Sequence, residues 1–224
     1  MEDTVTAILE RPMTTENAPA AEEPRTERRK EPRTEFEELL HTTEELDTPD
    51  GYKAELIRGK IVVSPWSGLP YLWPMRELRL RLEPHAPKGH IAETSPFLFT
   101  FPSAQRAFGP DLFIADGEAF RGVGGRHADS EALSLVAEFT SVSTRDVDWQ
   151  EKLEVYGRHV PVYLVVDMQA DEITAFWAPS DRGYHARMTV PFGKPLPIPA
   201  PFDFELDTNF FLETEKPEEE KTTE

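Results

Sequence analysis

The 224-residue chain contains no cysteine, which excludes both disulfides and thiolate zinc sites. It also lacks any apolar run of membrane-spanning length, and its start, MEDTVTAILE, has neither the basic opening nor the apolar core of a signal peptide. These absences are the pattern expected of a soluble, cytoplasmic protein. Positive charge is scarce too: 24 Lys and Arg face 42 Asp and Glu, a formal net charge of −18. Binding a phosphate backbone draws mainly on Lys and Arg that displace counterions, so any contact with nucleic acid requires a local basic patch or a bridging cation. The six histidines, at 41, 85, 90, 127, 159 and 185, show no H-E-x-x-H spacing, and there is no G-x-S-x-G elbow. The run GVGGRH follows no clear strand and opens no clear helix, so it is not a nucleotide fingerprint. No internal repeat is present.

What charge there is falls unevenly. Residues 1–51 carry 6 basic and 15 acidic side chains, residues 213–224 carry 2 and 6, and residues 52–212 carry 16 and 21, a net of only −5. Residues 1–34, rich in Pro, Glu, Thr and Arg and poor in large apolar side chains, are expected to be a disordered tail, and residues 213–224 an acidic one. A single domain over 35–212 remains.

Within that domain FEELLHTTEEL has the spacing of a short docking helix, and AELIRGKIVVS reads as a hairpin turning at Arg58-Gly59. Residues 71–82 form a predicted helix with Leu72, Met75, Leu78 and Leu82 on one stripe, ending before Pro84. GHIAETSPFLFTFP, FGPDLFIADG, LSLVAEFT, VPVYLVVD, EITAFWA and YHARMTV read as strands, RGVGGRH as a loop, and the Pro-rich end as extended chain. A helix expected from Asp146 to Arg158 falls between two strands and permits one crossover. The expected fold class is therefore α/β, with a mixed, mainly antiparallel sheet flanked by helices.

Three carboxylates sit in or beside these strands. Glu138 interrupts the nearly continuous apolar run of LSLVAEF, where an unpaired charge would cost several kcal/mol, roughly. Asp111 shares a face with Phe113 and Ala115 if its strand alternates regularly, and Pro110 holds the chain extended before it. Glu55 lies in the hairpin. At about 100° per residue, Lys152 falls beside the apolar stripe of Trp149, Leu153 and Tyr156, from which its ammonium could return to the carboxylates. Acids crowded together cannot all ionise cheaply; a divalent, oxygen-seeking cation such as Mg²⁺ resolves that conflict, binds a phosphodiester and acidifies water.

The order of these residues, an acid in "PD", an acid on the next strand and a lysine after it, resembles the PD-(D/E)XK nuclease superfamily. More narrowly, AELIRGKIVVSP, GPDLFIAD, LVAEFTSVSTRDVDWQEKLEVY and VPVYLVVD resemble the bacterial Uma-two family of restriction-endonuclease-like proteins, from Phe36 to Phe211. The resemblance implies a restriction-endonuclease-like fold, Asp111 and Glu138 as ligands of Mg²⁺ or Mn²⁺, Glu55 as an accessory acid, DNA as the substrate and, by analogy with related folds, a homodimer. The superfamily's usual lysine stands two residues after the second acid, where this chain has Thr140; the Uma-two pattern puts it on the following helix, where Lys152 matches. Ser141 to Thr144 reads SVST where that family has Ser-Pro-Ser-Thr.

Each residue also has a structural reading. Glu138 can pair with a core cation, Asp111 can serve a turn, Lys152 can flank an amphipathic helix with its stem, and an acid beside a hairpin is commonly solvated. Asp146 and Asp148 suit a helix N-terminus, Ser141, Ser143 and Thr144 can cap it, and Arg145 can pair with those aspartates or with phosphate. Arg76, Arg79 and Arg81 form either a solvated face or the basic patch that DNA needs. Two functions follow: a Mg²⁺-dependent endonuclease hydrolysing phosphodiester bonds, or a catalytically silent nuclease-like module whose acidic tails mimic nucleic acid or recruit a basic partner.

Overall fold

The computed structural model describes residues 33–94, 97–122, 124–140 and 147–213. The tails of residues 1–32 and 214–224 and the stretch of residues 141–146, with its cap, turn and Arg145 expectations, lie outside the described residues. Helix α1 (Glu35–Glu45) opens on a capping box in which Thr34 and Glu37 satisfy each other's backbone N–H. It docks through Leu40, with Phe36 and Leu39 beside it. Strands β1 (Tyr52–Ile57) and β2 (Lys60–Pro65) form the expected hairpin. Arg58 and Gly59 both take positive φ, 51° and 67°, as a two-residue turn matched to strand twist requires.

Helix α2 (Leu72–Leu82) buries Leu78 and Leu82 completely and lays Met75 against the core. Leu72 departs from the predicted stripe and is 54% exposed; the face that meets the core runs through Tyr71, Pro74, Met75, Leu78 and Leu82, and Leu72 lies beside it. Strands β3 (His90–Glu93) and β4 (Leu98–Phe101) follow, then β5 (Arg106–Phe108), β6 (Leu112–Asp116), β7 (His127–Asp129) and β8 (Leu133–Thr140). The predicted helix after β8 is not uniform: residues Val147–Lys152 form a π-helical turn that runs into α3 (Leu153–His159). The chain continues as β9 (Val162–Asp167), β10 (Glu172–Trp177), β11 (Ala186–Pro191), a short hairpin of β12 (Leu196–Ile198) and β13 (Phe204–Leu206), and α4 (Phe210–Glu213).

These strands make a five-stranded sheet, β2-β1-β5-β4-β7, and a six-stranded sheet, β11-β10-β9-β8-β6-β3. Most neighbours are antiparallel; β8 with β9 and β4 with β7 are parallel. The β8–α3–β9 unit is the crossover expected from sequence. GHIAETSPFLFTFP divides between the sheets, β3 joining one and β4 the other, and the chain crosses again at Gly109-Pro110-Asp111. Side chains alternate across β6 and β8: Leu112, Ile114, Leu135, Ala137 and Phe139 enter one apolar cluster, whereas Phe113, Ala115 and Val136 enter a second. The second is centred on Tyr156 of α3, whose ring meets Phe101, Phe108 and Tyr163 edge-on with centroids 4.9–5.6 Å apart. One ring therefore packs on both sheets.

Gly157 lets α3 come this close. A Cβ there would stand 2.9 Å from the Cα of Gly183 and 3.0 Å from the N of Tyr184, and the Gly157 carbonyl accepts the Ser180 N–H at 3.1 Å. Gly157→Ala is expected to cost roughly 1–3 kcal/mol through overpacking against backbone. An unchanged urea midpoint in the variant would refute the close approach.

Candidate active site

Lys53 and Glu55 are two residues apart in β1, so strand alternation sends both to one face. Glu55 is 4% exposed, which overturns the solvated reading of this acid. Both side chains grip the same residue: Glu55 Oε1 accepts the Gly109 N–H at 2.8 Å, and Lys53 Nζ donates to the Gly109 carbonyl at 2.7 Å. Gly109 stands two residues before Asp111, at the crossing between sheets.

The antiparallel register pairs Leu112 with Ala137, and one further step sets Asp111 opposite Glu138. Like charges directly opposed on adjacent strands are destabilising. Each is met by donors. Asp111 Oδ2 accepts the Phe139 N–H at 2.9 Å, its Oδ1 accepts the Ser67 hydroxyl at 3.2 Å, and Lys53 Nζ lies 3.6 Å from the same Oδ1. Glu138 Oε1 is 2.9 Å from Lys152 Nζ and accepts the Tyr156 hydroxyl at 3.1 Å. Lys152 Nζ lies 3.5 Å from Glu55 Oε1 as well. The four residues singled out in the sequence are thus brought together, all buried.

Burial opposes charge throughout this cluster, and the neighbours decide the outcome. For Glu55, burial works against ionisation, but Lys152, Lys53 and the Gly109 N–H outweigh it and hold the carboxyl below its usual value. For Lys53, burial again opposes charge, yet Glu55, Asp111 and Glu138 prevail over the repulsion of Lys152, and its pKa is raised. Burial, and after it Glu138, pushes the Tyr156 phenol well up, so this hydroxyl is a fixed donor rather than a base.

The comparisons with known proteins agree with this architecture. The chain matches the family Uma2, described as "Putative restriction endonuclease", over residues 34–209. It belongs to that family. Its fold is also that of a solved protein described as "a putative nuclease belonging to DUF820" from Anabaena variabilis: TM-score 0.58, 14% identity, 82% of this chain and 99% of that one covered. No curated protein matches it.

Lys152 ends the π-helical turn that runs into α3, and Thr140, two residues after Glu138, ends β8. Thr140 is fully buried and its hydroxyl has no hydrogen-bond partner among the described residues. Two members of the site escaped the sequence reading. Lys53 had a signal, its i, i+2 relation to Glu55. Ser67 had none, since only the packing of the segment after β2 brings it to Asp111. The arginines of α2 form no free patch: Arg76 and Arg81 pair with Glu77, and Arg79 pairs with Glu83 at 3.1 Å.

The donor chemistry fits a hard divalent cation. Asp111 and Glu138 offer carboxylate oxygens, which such ions prefer, and no cluster of three His, Asp or Glu ligands occurs among the described residues. Mg²⁺ characteristically binds through one or two carboxylates together with water and substrate phosphate rather than in an all-protein cage. Three carboxylates against two ammoniums leave the cluster at −1; a divalent ion would turn it to +1, the sign that faces a phosphodiester.

Glu55 yields a pH prediction. Its folded-state pKa lies below the unfolded value of 4.5, so its ionised form contributes stability above that value, and the contribution is lost as pH falls through the folded pKa. In chelator, Glu55→Gln should cost about 1.5–3 kcal/mol at neutral pH through loss of its charged hydrogen bond to the Gly109 N–H and of its attraction for Lys152, and the gap to wild type should narrow below pH 4.5. Urea titrations giving a gap independent of pH would contradict this.

Proposed function

We propose that this Uma2-family protein is a divalent-metal-dependent endonuclease that hydrolyses phosphodiester bonds in DNA. The observation that carries the reading is the cross-strand opposition of Asp111 and Glu138, buried, with the ammonium of Lys152 2.9 Å from Glu138. Asp111 and Glu138 would hold Mg²⁺ or Mn²⁺. Such an ion, when bound, supplies Lewis-acid polarisation of the phosphoryl oxygens and a more acidic water.

The chain's own groups supply orientation and charge. Ser67 and the Phe139 N–H fix the two oxygens of Asp111, and Tyr156 together with Lys152 fixes Oε1 of Glu138. Lys152 positions the attacking water and offsets negative charge that develops at phosphorus. Glu55 holds Lys152 in place. Arg58 fastens the β1–β2 hairpin to the π-helical turn through Glu151, its Nε 2.8 Å from Oε2, and so keeps Glu55 and Lys152 within reach of one another.

Asp111→Asn and Glu138→Gln are each expected to lower supercoiled-plasmid nicking by more than about 100-fold, beyond the usual effect of losing a group that merely supports a ligand. Calorimetric Mg²⁺ binding should be lost in parallel, with a cooperative melting transition retained. Loss of that transition would give the residue a structural role. Wild-type protein that neither binds Mg²⁺ nor nicks would overturn the endonuclease.

A further inference from the structure

A cleft of about 110 Å³ opens beside the carboxylates, lined by Tyr52, Lys53, Trp66, Gly109, Glu44 and Arg126 among others. Its inner wall carries an incompletely used cation. The Lys53 ammonium has three donors, yet among the described residues it makes one hydrogen bond, to the Gly109 carbonyl at 2.7 Å. Asp111 Oδ1 stands at 3.6 Å, outside hydrogen-bond range, and the Trp66 ring centroid at 5.3 Å. With its side chain only 11% exposed, this ammonium has little water to occupy its remaining donors. Its charge is balanced by the Asp111 and Glu55 carboxylates, but its spare donors are open to an acceptor oxygen seated in the cleft.

The outer wall carries a second cation. Arg126 is exposed, and its guanidinium forms no ion pair among the described residues, whereas the arginines of α2 and Arg58 are paired. The one carboxylate on this wall, Glu44, is already engaged: Oε1 accepts the Arg126 N–H at 3.1 Å and lies 2.6 Å from His127 Nδ1. The cleft has room for a small anion and is far below the pockets that hold drug-sized ligands.

We propose that this cleft is a phosphate subsite, with Lys53 at its floor and Arg126 at its mouth, that takes a backbone phosphate neighbouring the one cleaved at Asp111 and Glu138. The proposal rests on the endonuclease reading for the origin of the phosphate, because the same chemistry would accept free inorganic phosphate. Lys53 belongs to both sites, so a strand seated in the cleft lies alongside the carboxylates, and Trp66 offers a ring face next to the anion.

The test uses the full chain in Mg²⁺ with a fluorescein-labelled single-stranded oligonucleotide whose phosphorothioate linkages resist hydrolysis, read by anisotropy over a range of salt. Phosphorus NMR of inorganic phosphate forms the second arm. Arg126→Ala is expected to weaken oligonucleotide binding about tenfold and to lower the slope of log K against log salt by about 0.7, the loss of one single-strand phosphate contact. Its Mg²⁺ affinity should be unchanged. Arg182→Ala, an exposed arginine lining a different cavity, should bind as wild type, and Lys53→Met should repeat the Arg126→Ala effect if it folds. Equal affinity and slope in Arg126→Ala and wild type, or equal weakening by Arg182→Ala, would overturn the subsite and leave the endonuclease standing. Inorganic phosphate bound and lost in Arg126→Ala, with no oligonucleotide bound by wild type, would keep the subsite and remove the endonuclease. Binding of neither probe would end both.

Discussion

The ammonium of Lys152, held between Glu55 and Glu138, is the interaction on which the rest of the site depends. Glu55 belongs to the five-stranded sheet, Glu138 to the six-stranded sheet, and Lys152 to the turn that opens α3. One cation therefore joins three elements that no run of backbone hydrogen bonds joins. Buried ion pairs recover little net stability, since desolvation consumes much of the Coulomb energy, but losing one partner leaves an uncompensated charge. The cluster thus acts as a registration device: the apolar packing around Tyr156 brings the sheets together, and the charges fix which atoms meet.

The two lysines divide the electrostatic work. Lys152 is enclosed by acids, whereas Lys53 keeps donors unspent at the edge of a cleft. This distinction is what the proposed endonuclease requires of a chain with a net charge of −18. Net charge governs long-range approach and is screened within about 10 Å at 0.1 M salt. Inside the site the field is set by a few groups at 3–4 Å, and there the balance can be reversed by one divalent ion. Elsewhere the arginines of α2 neutralise the glutamates on their own helix, so they add little to the attraction of a distant strand.

Much of this arrangement is legible in the sequence because it follows from strict periodicities. The Arg58-Gly59 turn, the buried run around Glu138 and the shared face of Asp111 and Phe113 all derive from the two-residue alternation of strands and from turn chemistry. What escaped has a different origin. The π-helical turn lies where a strict 100° advance per residue no longer holds. The split of β3 from β4 cannot be read from GHIAETSPFLFTFP, because the polar residues between the two strands mark a break without saying which sheet each strand joins. The β12–β13 hairpin hides in a Pro-rich stretch, since both strands are short and Pro197 sits within one of them. Leu72 reads as core by its spacing to Met75, yet the face that packs is shifted round the helix to Tyr71 and Pro74, which the apolar pattern of leucines does not show.

The helical position of the lysine follows from the crossover. Parallel strands β8 and β9 require a connection that folds back across one face of their sheet, and the cluster around Tyr156 shows that α3 covers the face onto which Glu138 projects. Residues four apart on a helix lie on neighbouring turns of one side, and Lys152 and Tyr156 are so spaced, each reaching Glu138 Oε1. A lysine at position 140 would share that strand face and approach the second acid from alongside; Lys152 approaches it from above. The two solutions deliver an ammonium to the same carboxylate. In this chain the strand position can then become a buried threonine, provided α3 stays close, and the contact of Gly157 with Gly183 keeps it there.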